Sequence, residues 1–243
     1  MSEGVVSKFP YNPFTTADDR PRLLPKDAPR KLRPALTNAD YQKIYKRAGE
    51  RAERFEGLQL AMGISRYTAL RRTDICRLTW KESVCNGELR VVVGKSREQL
   101  GPIKAARLSW QLDQHPVLRA LINRARELAM QNHACPFVIS HKPKRRVLAL
   151  KDAKLGSVVE KSHVCQVLPD RLGKMFTQVR DECGIEGVTF HEIRGLSSTL
   201  YKCHGYTDVE IMQLMAHGNV NTTRGYQDES QLPFNSISLT LPD

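Results

Sequence analysis

The chain has 243 residues, 40% of them hydrophobic, which is enough for one large domain with appendages. Its formal net charge of +12 and pI of about 9.6 favour a polyanionic partner without dictating a fold. No apolar run approaches the ~18 residues of a membrane span, and Met1-Ser2-Glu3-Gly4 does not open a secretory leader.

Residues 1–34 read as an extended basic arm or interdomain linker. Pro10, Pro13, Pro21, Pro25, Pro29 and Pro34 argue against regular structure there, and Arg20, Arg22, Lys26, Arg30, Lys31 and Arg33 make its second half basic. Thr37 is a candidate N-cap for a helix carrying Tyr41, Ile44 and Tyr45. A second helix is expected over 56–68, and a third from about Arg72, with Ile75, Cys76 and Leu78 as its apolar positions. The β-branched run 89–93 reads as a strand, with 103–110 as its partner across a turn near Gly101-Pro102. Residues 117–131 form a strongly amphipathic helix, and 137–140 a short strand. The polar, basic stretch 142–163 suggests no element; its run His141-Lys142-Pro143-Lys144-Arg145-Arg146 reads as a solvated loop. Helices follow over 172–183, 191–203 and 208–215. In 235–241, Ile237, Leu239 and Leu241 alternate with polar residues, as in a half-buried strand. The fold class is therefore mainly α, or α+β: a helical core with a small antiparallel sheet and a C-terminal strand. The six cysteines form no CxxC pair and have no zinc-like spacing with histidines, so reduced thiols in a cytoplasmic protein are expected.

Four stretches carry groups suited to gripping and attacking a phosphodiester. They are Leu70-Arg71-Arg72, His191-Glu192-Ile193-Arg194, Met215-Ala216-His217-Gly218 and Thr222-Thr223-Arg224-Gly225-Tyr226. Arginine offers a planar fork of donors matched to phosphate oxygens. Histidine donates a hydrogen bond or moves a proton near neutral pH, and a tyrosine phenol can form a covalent phosphoester. In the first stretch Asp74 lies three positions after Arg71, on the same helical face, where it could orient the arginine; Arg72 is the rival to Arg71. His191 and Arg194 are also three apart, so one phosphate could meet both. Lys95 follows a strand and a glycine, with Lys104 as the alternative. Tyr226 comes nine residues after His217. The other histidines, His115, His133, His141, His163 and His204, and the other tyrosines read as structural or surface residues.

In order and surroundings, these stretches resemble the catalytic domain of the tyrosine recombinases, and most closely the phage integrases. The resemblance extends from about Leu36 onward, with Ala69 and Ala216 standing where the family often has glycine. It implies a catalytic domain over 35–234, preceded by the 1–34 arm and followed by a 235–243 β-tail. It also implies a site-specific recombinase acting on double-stranded DNA as a dimer or tetramer, in the cytoplasm of a bacterial host and associated with the nucleoid. Arg71, Arg194 and His217 would surround the phosphate. Tyr226 would attack it to give a 3′-phosphotyrosyl link, Lys95 would protonate the leaving 5′-hydroxyl, and His191 would take the phenolic proton. No cofactor or metal is implied. Phage integrases usually carry a core-binding domain ahead of this one, so a chain with only residues 1–34 there is expected to bind DNA weakly. The alternatives are a type IB topoisomerase-like activity and a non-catalytic basic DNA-binding module.

Overall fold

A computed structural model describes residues 34–96, 98, 101, 105–142, 163–219 and 222–223. All of them lie in the second of two units, which divide at Arg33 and Pro34. The basic arm, Lys104, Tyr226 and the 235–243 tail fall outside the described residues, apart from Pro34 of the arm.

Helix α1 (Asn38–Glu50) starts as expected, with Thr37 Oγ1 accepting from the Asp40 N–H at 3.0 Å. Its buried Tyr41, Ile44 and Ala48 face the next helix. The chain turns at Arg51 and enters α2 (Ala52–Thr68) at once. That helix starts four residues before the expected 56, because Phe55 already belongs to the core.

Ten residues of α2 are buried, spread around the helix. This is the pattern of a helix enclosed on several sides rather than packed on one. It packs against α1, α5 (Pro116–Gln131), α6 (Pro169–Glu182) and α7 (Glu192–Cys203). A Cβ on Gly57 would stand 2.2 Å from the Ser140 carbonyl oxygen, so only glycine lets that backbone approach α2 so closely.

Short helices α3 (Arg72–Arg77) and α4 (Trp80–Ser83) lead into an antiparallel sheet of order β1-β2-β3. Its strands are Val84–Cys85, Glu88–Val92 and Arg107–Gln111. Asn86 and Gly87, both at positive φ, make the tight turn between the first two strands. In β2 and β3, Leu89 pairs with Trp110 and Val91 with Leu108. Leu89 and Val91 face the core while Arg90 and Val92 face out.

Residues 137–140 do not form the expected strand. They make two isolated bridges, Thr79 with Phe137 and Ser140 with Gln166, which clip the segment between other elements. Helix α8 (Asp208–Leu214) opens on a complete capping box between Thr207 and Glu210. The result is mainly helical with one small sheet. All six cysteines are free. Among the described residues no helix is long and apolar enough to cross a membrane, and no cluster of metal-ligating side chains occurs.

Candidate active site

The C-terminus of α2 organises the site. A helix leaves its last carbonyls without intrahelical partners, and α7 supplies donors for those around this end. Ser197 Oγ donates to the Arg66 carbonyl at 2.7 Å, and the Tyr201 hydroxyl to the Tyr67 carbonyl at 2.6 Å. Arg194 Nη1 donates to the Ala69 carbonyl. Residues 194, 197 and 201 share one helical face, so α7 docks on α2 through this polar stripe.

Ala69 ends α2 in the left-handed region at φ 50° and turns the chain toward Arg71. Arg71 is extended and serves as the N-cap residue of α3. Asp74, one turn into α3, is buried, and its Oδ1 accepts from the Gly94 N–H at 2.9 Å. The sequence suggested Asp74 as a partner for Arg71. Arg71 does contribute to the field at the carboxylate, but the hydrogen bond goes to the backbone beside Lys95. Burial pushes the Asp74 carboxyl up, and the Gly94 N–H, Arg71, Arg194 and Arg77 pull it back down.

Lys95 itself is exposed, in a helical turn that begins at Gly94 just after β2. A Cβ at Gly94 would lie 2.6 Å from Arg77 Nη1 and 3.0 Å from Asp74 Oδ1, so glycine is what lets this turn close on α3. Beside it lies a groove of ≈ 410 Å³ whose lining includes Arg77, Arg90 and Arg107.

At the end of α8, the His217 N–H bonds to the Met212 carbonyl and the Ala216 N–H to the Gln213 carbonyl, both at 3.0 Å. This is a Schellman motif whose left-handed residue, usually glycine, is Ala216 at φ 48°. Thus both alanines that replace the family's glycines keep the glycine conformation. Ala69 also packs with Ile211 and Met215, joining the two turns.

Arg194 connects these turns. It is 2% exposed, and besides the Ala69 carbonyl its Nη2 reaches the Met215 carbonyl and lies 3.0 Å from His217 Nε2. A guanidinium has only donors, so His217 Nε2 is the acceptor. The other ring nitrogen, Nδ1, lies 3.0 Å from Thr223 Oγ1. Burial pushes the His217 imidazole down to about 4, and Arg194, Arg71, Lys95 and His191 act in the same direction. These four residues come from three separate stretches of the sequence. Arg194 thus meets His217 directly, Arg71, Lys95 and His191 contribute to the field at its ring, and Tyr226 falls outside the described residues. Among the other described histidines, His204 Nδ1 meets the Leu200 carbonyl and His141 Nδ1 the Lys142 carbonyl, each at 2.8 Å, and His163 Nδ1 accepts from the Cys165 N–H at 3.2 Å.

Sequence reasoning found the charged groups by their motifs but missed those that hold them. Asp74 to Gly94, the polar stripe of α7 and Thr223 all act across distant segments or on a neighbouring loop. Only the Arg194–Ser197–Tyr201 spacing left a readable signal, polar groups recurring three and four residues apart.

The profile of the phage integrase family matches residues 34–232. Among solved structures, a lambda integrase tetramer bound to a Holliday junction matches with a TM-score of 0.61 at 20% identity, covering 86% of this chain and 52% of that one. The lambda integrase catalytic core matches with a TM-score of 0.54 at 21% identity, covering 75% and 91%. XerA recombinase matches with a TM-score of 0.55 at 13% identity, covering 85% and 63%. The chain thus spans about half the length of the integrase in the junction complex. At these identities the likeness is one of fold. A comparison with curated protein sequences found no match.

Proposed function

Because the chain belongs to the phage integrase family and folds like its catalytic core, we propose that it cuts and rejoins DNA strands through a phosphotyrosyl intermediate. The observation that supports this reading is the contact between Arg194 and His217, with Arg71, Lys95 and His191 all acting on the same ring. Cationic side chains such as those of Arg71, Arg194 and Lys95, held near a phosphate, stabilise charge that develops on it in the transition state, typically by a few kcal/mol for each donor.

In the proposed reaction Arg71 and Arg194 hold the non-bridging oxygens of the scissile phosphate. The negative charge of that phosphate offsets the cations that keep His217 neutral, so the ring gains a proton and donates it as a hydrogen bond from Nε2. The Tyr226 oxygen attacks phosphorus, and the bond from phosphorus to the 5′-oxygen breaks. His191 accepts the phenolic proton, and Lys95 delivers one to the departing 5′-oxygen. The 5′-hydroxyl of a partner strand then reverses these steps. The phosphoester bond is conserved throughout, so the balance needs no energy source.

The substrate is double-stranded DNA, engaged by a dimer or tetramer of the chain. The DNA-bound dimer and tetramer of lambda integrase among the matched structures support that assembly. The role is integration or excision of a phage or mobile element, in the cytoplasm of a bacterial host. A substrate nicked near the cleavage point loses its short 5′ fragment and traps the intermediate. The wild-type chain is expected to accumulate a covalent adduct on it. Binding without any adduct would leave a basic DNA-binding module instead.

A further inference from the structure

We propose that Thr223 is a positioning residue for the reaction: its hydroxyl fixes the tautomer and orientation of the His217 ring and ties the segment leading to Tyr226 to the rest of the site. This rests on the reading of His217 given above. The hydrogen-bond inventory around the ring sets the tautomer. Arg194 Nη2 can only donate, so the Nε2 that it faces at 3.0 Å must present a lone pair. A neutral imidazole then carries its hydrogen on Nδ1, which points at Thr223 Oγ1 at 3.0 Å. With the hydrogen on Nε2 instead, two donors would face each other at Arg194. The hydroxyl can rotate to accept from Nδ1, so it stabilises the tautomer that Arg194 demands.

Thr223 is fully buried, so its hydroxyl is held in place rather than exchanged with solvent. When the ring becomes charged, the Nδ1–H bond to Thr223 persists and keeps the ring's aim; the new Nε2–H and Arg194 are then both donors, which need the phosphate oxygen as their shared acceptor. A ring free to rotate about its own axis would lose that aim, and misplacement by about 1 Å can cost on the order of 100-fold in rate. The position of Thr223 in the chain gives it a second effect. It lies six residues after His217 and three before Tyr226, so the same hydrogen bond holds the chain at residue 223, close in sequence to the proposed nucleophile.

Thr223→Val keeps the shape and removes the acceptor; Thr223→Ser keeps the hydroxyl and removes the methyl. Three readouts are compared: the nitrogen NMR signature of His217 in the protein alone, DNA affinity, and the rate of adduct formation on a nicked substrate. For Thr223→Val we expect the Nδ1–H signature to give way to a tautomer mixture. Its rate should fall about 10–100-fold while affinity stays within a few fold. Thr223→Ser should restore both the signature and most of the rate. Wild-type signature and rate in Thr223→Val would overturn the proposal. So would equal losses in both variants with the signature unchanged, which would mark Thr223 as packing only. His217→Ala serves as the control: wild-type cleavage there would instead remove His217 from the reaction, and the proposal with it.

Discussion

The candidate site has two halves that differ in what holds their charge. Arg194 is almost entirely buried, and its guanidinium is engaged by two backbone carbonyls and the His217 ring. Lys95 is exposed, on a turn held to the rest of the site through the backbone of Gly94. The buried half is therefore part of the fold, whereas the turn bearing Lys95 is held by local contacts, among them the Gly94 N–H to Asp74, the Ala106 N–H to Ser96 Oγ and the Arg77–Glu98 ion pair. A cation that also completes the fold is placed accurately but cannot be changed without structural cost. An exposed cation can be changed freely, but its aim comes from neighbours.

Substitutions at the two positions should separate these halves. Arg194→Ala leaves the Ala69 and Met215 carbonyls unsatisfied in a buried setting, at ~1–3 kcal/mol each. Urea denaturation should show a loss of several kcal/mol together with abolished cleavage, and Arg194→Lys should not restore the fork. A stability loss below 1 kcal/mol would mean that the guanidinium is not structural. Lys95→Ala should leave stability within ~0.5 kcal/mol but lower the cleavage rate by about 100-fold or more, as for loss of a general acid. Comparable stability losses in the two variants would erase the contrast drawn here.

The buried half should also respond to pH. An unfolded histidine titrates near 6.5, whereas burial and the surrounding cations hold the folded His217 at about 4. Between those values the unfolded chain binds more protons. This contribution is complete above pH 6.5 and is lost as the pH falls toward 4, by roughly 3 kcal/mol at the limit. Denaturation at pH 7 and pH 5 should show the decline, and His217→Gln should flatten it. An equal slope in that variant would assign the decline to other groups.

The smallest effect concerns the left-handed alanines. That conformation costs an L-residue ~1–2 kcal/mol, while glycine loses an extra ~0.5–1 kcal/mol of chain entropy on folding. Ala216→Gly should therefore stabilise by ~0.5–1 kcal/mol, a Tm rise of about 1–4 °C. At Ala69 the methyl also packs on Ile211 and Met215, and its loss costs ~0.8 kcal/mol, so Ala69→Gly should be near neutral. Calorimetry that ranked Ala69→Gly as the more stabilising would reverse this assignment of strain.

Much of the architecture could be read from local pattern. The Thr37 cap, the amphipathic run after residue 116 and the β-branched run of β2 are nearest-neighbour signals, and the structure has these elements. The β1–β2 hairpin was not anticipated: Asn86-Gly87 is a turn signal, but the flanking strand is only two residues long and carries no alternation. The expected strand at 137–140 failed because its apolar residues fill a crossing point, where Gly57 admits the backbone, rather than a ladder. At the site, the charged residues were legible because phosphate chemistry demands particular side chains in short motifs. Their supports were not. A carboxylate bonded to a backbone N–H twenty residues away, or a hydroxyl set against a histidine ring, is created by folding and leaves no periodicity.

The most direct test of the central claim is to digest the trapped adduct and identify the DNA-linked residue by mass spectrometry. The account predicts a nucleotide on the Tyr226 phenol, joined through a 3′-phosphate, and no adduct from Tyr226→Phe despite unchanged DNA binding. A link to any other residue, or a Tyr226→Phe chain that still forms the adduct, would contradict it.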